Sequence, residues 1–224
     1  FGTCMSLQSI SLPDTLKIIG PKAFQICINL QNVNIPSSVI DIGADAFFKT
    51  KFYSDLQELN PESDFIIYDG RVLLRYLGAD EILNIPHGVE LIGGGAFSSN
   101  ETIETMNLPE TIKSISRNGF DNLFTLHILN GLDRVSYIGR DAFCDCAALD
   151  NITISGELDT VMSGTFFGCE SLRSISLCYG ICEIGVSAFT DCKNLKSLYI
   201  PQSVEIIKDD AFDESLSDVF INNS

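Results

Sequence analysis

Phenylalanine, leucine and isoleucine recur along this chain with a period of 23 residues. Phe1, Phe24 and Phe47 form one run, and Phe97, Phe120, Phe143, Phe166, Phe189 and Phe212 form a second in the same step, with a longer step of 50 from Phe47 to Phe97. Counted from each Phe as zero, Cys stands at place three, Leu at six, aliphatics at nine and eleven, and Pro at twelve. A further aliphatic stands at fifteen, Ile at eighteen, Gly at nineteen and Ala at twenty-two. The unit from Phe24 is complete, with Cys27, Leu30, Val33, Ile35, Pro36, Val39, Ile42, Gly43 and Ala46. Later units vary in detail: Ser155 and Cys178 replace Pro, and Ser116, Met162 and Lys208 replace Gly.

This spacing predicts the elements of one unit. Apolar places nine and eleven alternate with polar neighbours, the period-two sign of a short strand with one buried face, and Pro at twelve ends it because it has no N–H for a ladder. A second extended stretch runs through fifteen and eighteen. Gly at nineteen is read as the residue of a tight turn, and Ala-Phe leads into a short helical or irregular turn. One unit cannot bury its own Leu, Ile and Phe side chains, so equivalent coils must stack with their first strands parallel. About nine coils give a stack on the order of 40 Å long. The expectation is a repeat solenoid in which rings 23 places apart lie over one another in one continuous column.

The run Leu-x-x-Ile-x-Ile-Pro-x-x-Val-x-x-Ile-Gly-x-x-Ala-Phe-x-x-Cys, read from Leu7 and in variant form from Leu30 and Leu195, resembles the BspA-like class of bacterial-type leucine-rich repeats. The resemblance covers nearly the whole chain. It implies a right-handed leucine-rich repeat horseshoe or column with a parallel β-sheet, mainly β with short helical turns. It also implies a surface-exposed or secreted protein used in adhesion to host or neighbouring cells. The matching positions are core positions and carry little information about a ligand.

The long step holds 27 extra residues. Regular coils are assigned to 1–47 and 77–224 of one domain, with an irregular insertion at about 48–76. Within it Phe65-Ile66-Ile67-Tyr68 and Arg71-Val72-Leu73-Leu74 flank Asp69-Gly70, a strong signal for a two-residue hairpin turn with positive φ at both central residues. The hairpin is read as an insert packed on the solenoid, with an exposed platform for a partner as the other reading. The chain opens at Phe1, inside a unit, and is read as part of a longer protein.

Composition narrows the function classes. Hydrophobic residues make up 45% of the 224 residues, enough to build a core, and 30 acidic against 14 Lys and Arg residues give a net charge of -16. Phosphate neutralisation, the main source of non-specific nucleic-acid affinity, is unavailable, so no nucleic acid is expected as partner. No apolar run is long enough to cross a bilayer, so no membrane insertion is expected of this chain. Eight cysteines raise the question of disulfides. However, Cys4, Cys27, Cys146, Cys169 and Cys192 all occupy place three, with Asn100 on the same rung elsewhere, which reads as a ladder of buried free thiols facing backbone carbonyls. Cys178 and Cys182 flank a turn and form the pair best placed for a disulfide.

Candidate chemistry is sparse. Cys144, Cys146, Asp141 and Asp145 lack the paired ligand motifs of a zinc site, and Asp209, Asp210, Asp213 and Glu214 lack the frame of a calcium loop, so no metal and no cofactor are expected. His87 and His127 fall at different places in different coils, with no nucleophile and carboxylate in a repeated context. The chain is therefore read as non-enzymatic.

What the pattern offers is a surface. If places nine and eleven point inward, eight and ten point outward. The candidate partner-binding residues on those rows are Asn84, Asn107, Asn130, Thr153, Ser176 and Tyr199 at place ten, with Thr105, Ile128 and Asn151 at place eight. Small polar residues dominate and charge is absent from both rows despite the acidity of the whole. The chain is read as a monomeric binding or adhesion module taking a protein or glycan on this face; the alternative is a structural spacer that projects another domain.

Overall fold

A computed structural model describes residues 1–154, 157–177 and 179–222. Among the described residues the chain is a β-solenoid with parallel sheets and one α-helix. Each regular coil contributes a first strand, such as Asn32–Asn34, Thr105–Asn107 or Ser174–Ser176, and a shorter second strand, such as Asp41–Ile42, Ser114–Ile115 or Glu183–Ile184. Equivalent strands pair in parallel and in register, as Asn84↔Asn107 and Asn107↔Asn130 do. The 23-residue period is therefore the period of the ladder.

The Phe rings stack as the period requires within each run. Phe1, Phe24 and Phe47 have centroids 5.5 Å apart, and Phe143, Phe166, Phe189 and Phe212 follow at 5.3 to 5.5 Å. The column is not continuous, however. Phe47 meets Phe52 edge-on and the first series ends at Tyr68, while the second starts from Phe65 and Tyr76 and reaches Phe97. The core divides in the same way into two clusters, one from Ile19 to Phe52 and one from Leu73 to Ala211, with Val72 and Leu91 packed in the first.

The insertion causes the division. Thr50, at place three, accepts a hydrogen bond from the Tyr53 N–H and so caps a helix, Lys51–Leu59, that sequence periodicity did not reveal. The hairpin forms, from Phe65–Tyr68 and Val72–Tyr76, with φ of +52° at Asp69 and +63° at Gly70, but Tyr68 pairs with Val72, so Arg71 belongs to the turn and not to the second arm, and the register shifts between Ile66 and Ile67. Its second arm pairs with Leu91–Ile92 as a rung of the second-strand sheet, and Tyr76 N–H donates to Ala96 O at 2.8 Å, the bond that Phe24 makes to Ala46. Tyr76 thus stands in for a Phe. The insert also closes the open edge of Asn32–Asn34. Phe52 N–H donates to Leu30 O, Tyr68 Oη lies 3.4 Å from Val33 O, and Arg71 Nη2 donates to Ile35 O at 3.1 Å.

The edge of Asp41–Ile42 is closed by a different device. Ile42 O accepts from Gly94 N–H at 2.7 Å and Ile42 N–H donates to Ser116 Oγ at 2.9 Å. The fully buried Asp41 carboxylate accepts from Arg117 N–H at 3.2 Å, Arg117 Nε at 3.1 Å and Tyr137 Oη–H at 3.1 Å. The side-chain contacts of this latch join residues 74 to 96 places apart. Gly94 permits the approach, since a Cβ there would lie 2.5 Å from Arg117 O and 2.8 Å from Ala44 N.

Two corner positions per coil complete the geometry. In the regular coils, though not at Glu214 of the shortened last one, the residues at places twenty-one and two, among them Asp45, Asn118, Asp141, Asp210, Asn122, Asp145 and Asp191, have φ between 52° and 70°. Asp and Asn tolerate this left-handed conformation better than most residues with a side chain. Gly at nineteen has a different reason from the one expected. It has ordinary φ, and a Cβ on Gly139 would lie 2.3 Å from Arg117 N of the coil beneath. The chain needs glycine there for close stacking of backbone on backbone, not for a turn.

Candidate functional site

The alternation of each first strand fixes its outward face. Val33 is buried while Asn32 and Asn34 are exposed, and Ile175 is buried between exposed Ser174 and Ser176. The nine candidate residues do project from this side, but in two groups. Asn84, Thr105, Asn107, Ile128 and Asn130 lie on a three-stranded sheet, and Asn151, Thr153, Ser176 and Tyr199 on a four-stranded one. The break falls where Gly131, at φ +92°, replaces the aliphatic residue of place eleven and a 3-10 turn, Leu132–Arg134, replaces the Pro step. That glycine was the signal for the break in the sequence.

The two groups differ chemically. In the first, Asn107 Nδ2 donates to Asn84 Oδ1 at 2.9 Å and Asn130 Nδ2 donates to Asn107 Oδ1 at 2.8 Å, so the amides bond along the stack. Ile82 and Ile128, 65% and 52% exposed, flank Thr105 in the neighbouring row. In the second, Ser174 Oγ donates to Asn151 Oδ1. Tyr199 stacks on Phe220 at 5.0 Å, both rings exposed. Phe220 went unnoticed because the last coil is two residues short: Tyr199 pairs with Phe220, 21 places on.

The thiol ladder takes the expected form at four of its five cysteines. Cys27, Cys146, Cys169 and Cys192 are buried, and each Sγ–H donates to the carbonyl of the preceding coil's Phe at 3.1 to 3.2 Å. Cys4 is exposed. Asn100 fills the rung by donating from Nδ2 to Gly78 O at 3.1 Å. Burial pushes the Cys192 thiol up to about 12, and raises Cys146 and Cys169 as well. Cys144 is raised to about 12, first by burial and then by Asp145 and Asp121. These thiols are packing groups, since nucleophilic cysteines need the opposite shift. Cys182 is a free thiol bonded to Gly180 O; Cys178, its expected partner, lies outside the described residues.

The acidic groups have a backbone explanation. Asp141 and Asp145 occupy left-handed corners, as does Asp210. Among the described residues no group of three or more His, Cys, Asp or Glu is placed to hold a metal ion. His127 Nδ1 lies 3.1 Å from Ala148 O, within a structural contact. A cleft of about 440 Å3 lies beside the insertion, lined by Phe47, Phe48, Tyr53, Gln57, Leu74 and Arg75 among others. Arg75 is turned onto Gly95 O and Ser98 O at 3.0 and 2.8 Å, and Asp45 and Ser98 also line the cleft. Among the described residues no helix is long and apolar enough to cross a membrane.

Solved structures of similar fold include a leucine rich cell surface protein from Faecalibacterium prausnitzii, with a TM-score of 0.55 and 22% identity over 93% of this chain and 61% of its own. A leucine-rich repeat protein from Bacteroides ovatus has a TM-score of 0.51 and 24% identity over 99% of this chain and 56% of its own. Another, from Eubacterium ventriosum, has a TM-score of 0.56 and 15% identity over 97% and 78%. At these identities the likeness is one of fold, and the chain spans less than two thirds of the first two. A search of curated proteins gives no match. Six copies of the pattern described as BspA type leucine rich repeat region fit residues 1–68 and 79–161, more than half of the chain, which therefore belongs to the BspA-type leucine-rich repeat family.

Proposed function

We propose that the chain is a non-enzymatic binding or adhesion module of a surface or secreted protein, taking a protein or glycan on the outward face of its first-strand sheets. One observation carries this reading. On a chain of net charge -16, rows eight and ten from Ser9 to Tyr199 carry no charge, yet present Ile82, Ile128 and Tyr199 to solvent. Amide, hydroxyl and isolated apolar groups at about 4.8 Å intervals suit an extended ligand held by many modest contacts. The Faecalibacterium protein of similar fold is a leucine rich cell surface protein, which supports the location.

The second reading, a spacer that projects another domain, draws on the Asn84-Asn107-Asn130 ladder, whose amides satisfy one another. Changing Asn107, Asn130 and Thr153 together to Lys tests between them. On an array of glycans and extracellular-matrix proteins the triple variant loses the binding seen with the parent chain while keeping its circular dichroism. Unchanged array binding would sink the face as a docking surface.

A further inference from the structure

The rim of the outward face narrows the partner's chemistry. In the six coils from Ile82 to Tyr199 the residue just before the first strand, at place seven, is Glu81, Glu104, His127, Asp150, Arg173 and Lys196 in turn, whereas Gln8 and Gln31 hold that place in the first two coils and Ser217 precedes the last strand. Hydrogen bonds tie Glu81, Glu104 and His127 into one run and Asp150 and Arg173 into a second, because Glu104 N–H donates to Glu81 O, His127 N–H to Glu104 O and Arg173 N–H to Asp150 O, at 2.8 to 2.9 Å, with the sheet break between the two runs. The order along the stack goes from acid to base, interrupted by Asp150. Glu81, Glu104, Arg173 and Lys196 are all exposed. Arg173 holds Asp150 at 3.5 Å. Among the described residues, Glu81 and Glu104 have no cation within 4.0 Å and Lys196 has no carboxylate within 4.0 Å. The rim beyond the other end of the strands shows no such order, with Glu110, Asp133 and Arg134 side by side.

Five rungs at about 4.8 Å put the two ends of the row on the order of 24 Å apart. That exceeds twice the screening length of physiological salt, about 8 Å, so each end is felt separately by a ligand. A neutral glycan would gain nothing from such a gradient. A ligand with separated charges of both signs gains at both ends.

We propose that the occupant of this face is an extended polypeptide segment lying across the strands, with Lys or Arg over Glu81 and Glu104 and with Asp or Glu over Arg173 and Lys196. About seven extended residues bridge the two ends. Apolar side chains between them meet Ile82 and Ile128 on one side of the sheet break and Tyr199 on the other. This inference rests on the proposed role of the face and adds the charge order of its partner.

The test uses the whole chain and three labelled synthetic peptides with one shared uncharged centre of Ser, Tyr, Asn and Val. One carries two Lys at one end and two Glu at the other, one has Lys at both ends, and one has Glu at both ends. By fluorescence anisotropy in about 150 mM salt, where long-range attraction is screened, the mixed peptide binds about fivefold to tenfold tighter than either of the others, the scale of two or more surface pairs. Glu81→Lys with Glu104→Lys transfers the preference to the all-Glu peptide, and Arg173→Glu with Lys196→Glu transfers it to the all-Lys peptide. Glu58→Lys with Glu62→Lys, the same charge change away from the face, leaves the order intact.

Absence of binding by all three peptides, one ranking for every variant, or the same transfer from the Glu58/Glu62 pair would overturn the inference. If the ranking fails while the Asn107/Asn130/Thr153 variant still loses array binding, the face stands as a docking surface and only its peptide chemistry falls. Array binding untouched by that variant removes the face itself.

Discussion

Replacing Asp41 by Asn or Ala probes the junction between the two ring series. The carboxylate is fully buried and accepts three hydrogen bonds, two from Arg117 and one from Tyr137. Hydrogen bonds to a charged group contribute about 1.5 to 3 kcal/mol each, but the Arg117 side chain is 30% exposed, and its share is reduced by solvent screening. Asn keeps one acceptor oxygen and should cost about 2 kcal/mol. Ala leaves a guanidinium and a phenol facing a void and should cost about 3 to 5 kcal/mol. In a solenoid each coil leans only on its neighbours, so losing the latch uncouples the block before the insertion from the block after it. Urea unfolding followed by circular dichroism and Tyr fluorescence should show one transition in the parent chain and two in the Ala variant, the earlier one involving the first block. Tyr137→Phe should cost about 1 kcal/mol and lose that cost in the Asp41→Ala background. One coincident transition with a loss below about 1 kcal/mol would refute the reasoning, because the blocks would then be held by something other than this carboxylate.

Two further outcomes follow from the core. Phe166 is fully buried with Phe143 and Phe189 at 5.3 and 5.4 Å, so Phe166→Ala should cost about 3 to 5 kcal/mol by chemical denaturation, whereas Phe1, 72% exposed, should tolerate Ala within about 0.5 kcal/mol. Two thiols, Cys144 outside the ladder and Cys192 within it, set an alkaline limit. Cys144 and Cys192 titrate near 12 in the fold against about 8.5 to 9 in an unfolded chain. Their folded values are raised, so the stability they contribute is complete below pH about 9 and is lost as pH rises toward about 12. Tyr137, raised to about 12 by burial and Asp41, adds to the same limb above about 10. The urea midpoint should therefore fall between pH 8.5 and 11, and Cys192→Ala should flatten that fall even though it lowers the midpoint at neutral pH.

The elements legible in the sequence are those that repeat. Ring register, strand alternation and the thiol rung each rest on a place occupied many times over, so a single substitution leaves the pattern visible. The hairpin was legible for a local reason, since Asp69-Gly70 supplies two left-handed residues between apolar runs. Asp41 and Arg117 meet across 76 residues, a separation that is no multiple of the period, and neither is unusual in its own coil. The helix Lys51–Leu59 begins where Thr50 takes the rung that Cys fills elsewhere, an exchange visible only once the cap is seen. For the candidate face, the outward rows follow from alternation, but its division does not, because Gly131 is one glycine among many and stands just past place ten, where the first strands of other coils also end.

The left-handed corners carry a consequence for the size such a protein can reach. Each regular coil must place a residue at both corners that accepts this twist, and Asp serves at Asp45, Asp141, Asp145, Asp191 and Asp210. Lys22 and Lys49 hold two other corners, so acidity here is only in part a by-product of bending the backbone, and a longer array gains negative charge where Asp takes the corner. Mutual repulsion between molecules then grows with each such repeat added, and a longer protein stays dispersed where a neutral stack of the same apolar content would precipitate.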